Sequence, residues 1–116
     1  MNFARIVALT TLLCQTALGA VYSVGPKQEL REVHQVRWES LNPDDVVRMH
    51  WREAPYRANW VICRCGTRKR PIIIRGVHGA GGKLPVIDGE NAVTRRQLSF
   101  SGEGRSVIKI GSANIP

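Results

Sequence analysis

The chain has 116 residues, 43% apolar and 22% charged, with a formal charge of +8. That length bounds it to a single domain, and an apolar fraction near the globular norm excludes wholesale disorder. The 17 Lys and Arg against 9 Asp and Glu point to an anionic partner or surface while leaving the fold open.

Residues 1–20 read MNFARIVALTTLLCQTALGA: one positive charge at Arg5, an apolar stretch from Ile6 to Leu18, then small residues. This is the three-part layout of a secretory signal peptide. The stretch falls short of the roughly 20 apolar residues a membrane-spanning helix needs, and Thr10, Thr11, Gln15 and Thr16 interrupt it. Ala17 and Gly19 satisfy the small-x-small rule, so residues 1–19 are expected to be removed, leaving a secreted (extracellular or periplasmic) product with no membrane span. A buried N-terminal helix is the alternative. Cys14 leaves with the signal, and Cys63 and Cys65 remain, separated by Arg64. In an extended strand their Cα atoms would lie about 6.5 to 7 Å apart, at the edge of bridging geometry, so two thiols or a strained bond in a turn are expected.

From residue 20 to 45 the pattern is mixed. A turn at Val24-Gly25-Pro26 precedes an imperfect helical stripe of Leu30, Val33 and Val36, which reads as a short helix or irregular cap. Asn42-Pro43-Asp44-Asp45 is a turn, because proline fixes φ and the Asx side chains bond their own backbone. Short runs rich in Val and Ile follow at 46–51, 60–63, 71–75, 86–87 and 107–110, each too short for a three-turn helix and divided by Gly, Pro, Asp and Ser. The chain therefore reads as all-β. Only Asp88-Gly89 suits a two-residue hairpin, and Glu90 to Arg95 beyond it is a poor strand. Consecutive β-branched residues, Ile72-Ile73-Ile74 above all, suit parallel strands at least as well.

Taken in order, Val24-Gly25-Pro26, Leu41-Asn42-Pro43-Asp44-Asp45-Val46-Val47, Pro55-Tyr56 before Trp60-Val61-Ile62, Gly66-Thr67 with Pro71-Ile72-Ile73-Ile74-Arg75-Gly76, Pro85-Val86-Ile87-Asp88-Gly89 and Val107-Ile108-Lys109-Ile110-Gly111 resemble the N-terminal coils of secreted right-handed parallel β-helix proteins, the pectin-lyase-like superfamily. The resemblance spans roughly residues 22 to 116 and implies an all-β solenoid, with an N-terminal cap at 20–45 and the first coils at 46–116. One departure is Asp44 where the family pattern has Gly, a position that Asp tolerates better than most residues. The chain stops at Asn114-Ile115-Pro116, just after a strand and without a terminal cap, so it is expected to be the front end of a longer protein. The resemblance implies a full-length form that binds or degrades polysaccharide. The catalytic acids and calcium ligands of such enzymes come mostly from middle coils, so no catalytic, cofactor or metal residue is assigned to this chain.

The other signals are weaker. Gly76 to Lys83 is glycine-rich, but Val77 stands where a Walker A loop needs Gly, Leu84 replaces Ser or Thr, and Pro85 blocks the helix that should follow. Cys63, Cys65, His50 and His78 lack the ligand spacing of a zinc site. Arg64, Arg68, Lys69, Arg70 and Arg75 form the densest positive cluster and Arg95-Arg96 a second; solvated strand corners explain them, and so does contact with an acidic polysaccharide. Trp51 and Tyr56, beside Trp60, are candidates for stacking on sugar rings, although such residues more often fill a core. Besides the β-helix front end, a small cationic secreted module that binds an acidic polymer accounts for the sequence. If the signal is cleaved, no nucleic-acid partner is expected; unprocessed protein in the cytoplasm would reopen that reading.

Overall fold

The computed structural model describes residues 19–95 and 106–111. Residues 1–18 of the expected signal peptide, Arg96, the turn expected at 101–104 and the terminal 114–116 lie outside the described residues. Among the described residues six strands carry the fold: β1 (Val21–Val24), β2 (Val46–His50), β3 (Tyr56–Ile62), β4 (Ile73–Val77), β5 (Ile87–Thr94) and β6 (Ile108–Ile110). Single 3₁₀ turns occupy Val33–Gln35, Trp38–Ser40 and Ala80–Gly82. The strands form two three-stranded sheets, β1-β2-β4 and β5-β3-β6, and every pairing is parallel.

The alternation of β2 sets the first sheet. Val47 and Met49 are buried, so the intervening Val46, Arg48 and His50 point away from the core, as the two-residue period of a strand requires. The turn before it is held by Asp45, 3% exposed, whose carboxylate accepts from the backbone N–H groups of Asn42 and Ala20 at 2.8 Å each. Those two bonds make the burial of a carboxylate tolerable. Asp44 takes the left-handed conformation at φ 72°, as the turn asks of it. β1, in the segment expected to cap the fold, pairs along its whole length with β2, from Val21 opposite Val46 to Val24 opposite Met49.

The core draws Val24, Val47 and Met49 from the first sheet, Tyr56, Ala58, Trp60 and Val61 from β3, and Val33, Val36, Trp38 and Leu41 from the segment between β1 and β2. Trp38 stacks on Trp60 with centroids 5.3 Å apart and planes 20° off parallel, and its indole N–H donates to the Val33 carbonyl at 3.0 Å. The expected helical stripe is thus buried through 3₁₀ turns, because its period is too irregular to place Trp38 on a helix face with Val33 and Val36. Away from this plug the sheets diverge around a groove of about 310 Å³ lined by Met49, Ile74, Leu84, Pro85, Ile87 and Ile108.

All-β class and parallel pairing hold, but the β-helix solenoid does not. The strands divide into two small sheets, and in the second β3 is central: its Tyr56–Asn59 half pairs with β5 and its Trp60–Ile62 half with β6. Stacked coils would hold a constant register from one turn to the next, whereas here the register jumps from Arg57 opposite Asp88 to Ala58 opposite Val93. β-branched runs and corner residues specify parallel neighbours; they do not specify how many turns the chain makes or whether its sheets merge into one stack.

Candidate polyanion-binding face

The outward side chains of the first sheet form rows across its strands. One row is Val21, Val46 and Ile73, and the next is Ser23, Arg48 and Arg75, in register from strand to strand. Parallel neighbours lie about 4.8 Å apart, so the two arginines emerge side by side on one face. Arg48 is half-buried and Arg75 exposed. Among the described residues neither makes an ion pair.

Six of the nine acids are engaged elsewhere. Glu32 holds Arg52 at 2.8 Å, Asp88 and Glu90 hold Arg57 at 3.3 and 3.7 Å, Asp44 holds Arg70 at 2.7 Å and Glu39 holds Arg95 at 2.7 Å. The Arg95 guanidinium donates two hydrogen bonds to Glu39 and keeps its carboxyl below the usual glutamate range. Asp45 is buried in its turn. The excess positive charge therefore falls on residues away from these pairs.

The cationic cluster expected from the sequence is divided by the structure. Thr67 and Arg70 close a turn on each other through N–H to carbonyl bonds of 3.0 and 3.2 Å, which leaves Arg68 and Lys69 exposed at its tip, just before β4. Arg70 is bound to Asp44, and Arg64 donates its Nε to the Leu41 carbonyl at 2.9 Å, so both also fasten loops. Arg75 joins the sheet face, where its neighbour is Arg48. Arg48 was not among the sequence candidates: it stands alone between apolar residues, and only the pairing of β2 with β4 gives it a partner of like charge.

The stacking pair needs correction. Tyr56 is fully buried, its hydroxyl donates to the His50 carbonyl at 2.6 Å, and the Arg52 guanidinium sits 3.8 Å from its ring centroid. Burial pushes its phenol up. Such a ring offers no face to a sugar, because the inward phase of β3 places it with Ala58 and Trp60. Trp51 is half-buried, with Gly79 packed so tightly on its indole that a Cβ there would overlap it and with Lys83 Nζ 5.4 Å from a ring centroid. Its ring is engaged by the protein's own loop.

Cys63 and Cys65 are free thiols; burial against the Trp38 segment pushes the Cys63 thiol up, and Cys65 is exposed. Among the described residues no three His, Cys, Asp or Glu gather as metal ligands, and no helix is long and apolar enough to cross a membrane. Comparison of the chain with known protein families, with characterised proteins and with solved structures finds no match.

Proposed function

We propose that this protein is a cationic binding module for an acidic polysaccharide, exported by the signal peptide read at residues 1–19. The observation that supports it is the pair Arg48 and Arg75, adjacent in register without an acidic partner among the described residues, with Arg68 and Lys69 at the tip of the turn that leads into β4. Two like charges directly opposite one another weaken a sheet, and an anionic ligand removes that cost when bound. Arginine suits the task, since its planar fork receives carboxylate oxygens two at a time. The reading rests on charge placement and assigns no reaction.

Binding of the purified chain to polygalacturonate, to a neutral glucan and to duplex DNA, each over a range of salt, tests it. Polygalacturonate should bind and be released by salt, the neutral glucan should not bind, and Arg48→Gln with Arg75→Gln should weaken the acidic complex by about tenfold or more, equivalent to roughly 1.4 kcal/mol. Equal affinity for the neutral glucan, or tighter binding of DNA than of polygalacturonate, would overturn the proposal.

A further inference from the structure

Resting on that reading, we infer that the polymer lies across the strands of the first sheet and that the face selects chains with acid groups on adjacent units over chains of equal charge with scattered acid groups. The second sheet supplies the contrast. There the corresponding in-register pair is Arg57 opposite Asp88, an ion pair of 3.3 Å, so this fold can neutralise a charge on a parallel ladder with its neighbour. On the first sheet the equivalent positions are Arg48 and Arg75. The row continues to Ser23, a hydroxyl that can donate or accept, so its line of polar groups runs perpendicular to the strands.

Strand spacing sets the pitch of this row at about 4.8 Å at the backbone, where the register of β2 with β4 places the two arginines side by side. A polymer with successive acid groups engages both arginines at once, and the second contact then forms without a further loss of translational freedom. A polymer whose acid groups are far apart engages one. The parallel row of Val21, Val46 and Ile73 adds an apolar strip, with Val21 53% and Ile73 43% exposed. A cationic strip beside an apolar one suits a sugar chain that has carboxylates along one edge and C–H groups on its ring faces, whereas a phosphate backbone would leave the apolar strip unfilled.

The test uses the full chain and partly methyl-esterified polygalacturonates of matched overall charge, one with its free carboxylates in contiguous blocks and one with them scattered. Contiguous blocks should bind about tenfold more tightly. Arg48→Gln and Arg75→Gln should each erase that preference, while Arg68→Gln should weaken both polymers equally. Arg75→Glu should recreate the pairing seen at Arg57 and Asp88, raising the thermal midpoint while abolishing the preference, which keeps a loss of binding distinct from a loss of folding. Equal affinity for the two patterns overturns this inference and leaves the proposed function standing. Failure of both patterns to bind overturns the two together.

Discussion

Glu39 and Arg95 are 56 residues apart in sequence and share two hydrogen bonds of 2.7 Å, with side chains 14% and 16% exposed. The guanidinium favours the carboxylate form in the folded state, so the folded pKa of Glu39 lies below its unfolded value. The resulting stability is present above the unfolded value, about 4.3, and is lost as pH falls through the depressed one. Glu39→Gln should cost about 1.5 to 3 kcal/mol at neutral pH, the range for hydrogen bonds to charged groups. Urea unfolding at a series of pH values checks this: the gap between the wild type and Glu39→Gln should narrow as pH falls from about 5 to about 3. A gap that stays constant with pH would mean that the bond contributes through shape alone.

At the scale of elements, the segment between β1 and β2 is held to β3 by Trp38. Trp38→Ala removes both the stack on Trp60 and the bond to the Val33 carbonyl, and should cost about 3 to 5 kcal/mol in equilibrium unfolding. Trp38→Phe keeps an aromatic face and should cost less. β2 and β4 were legible in the sequence because Val46-Val47-Arg48-Met49 alternates and Ile72-Ile73-Ile74 is β-branched. β1 was not, since Val21 to Val24 is a strand only by virtue of pairing with β2. β3 starts at Tyr56 instead of Trp60 because Arg57, Ala58 and Asn59, poor strand formers alone, are carried by their neighbours in β5. The candidate face divides in the same way: Arg75 stood out within a basic cluster, but Arg48 becomes its companion only through a register that no local pattern encodes.

Across the whole molecule, Leu84 and Ile108, which line the groove between the sheets, are 53% and 44% exposed. Apolar surface gathered in this way binds amphiphilic dyes and promotes association. Native protein should therefore enhance the fluorescence of anilinonaphthalene sulfonate, and Leu84→Lys with Ile108→Lys should lower that signal while cooperative unfolding is retained; an unchanged signal would place dye binding elsewhere. The register jump between β3 and β5 has a different kind of consequence. Residues 89–92 intervene between two paired stretches without register partners on β3, which reaches them only through the Arg57 side chain at Glu90, and Asn91 there is exposed in a left-handed conformation at φ 51°. The ladder between β3 and β5 skips these four residues. A fluorophore-bearing peptide or an affinity tag spliced beside Asn91 would lengthen a protrusion and shift no strand, giving a handle for immobilising the protein on a different sheet from the arginine row.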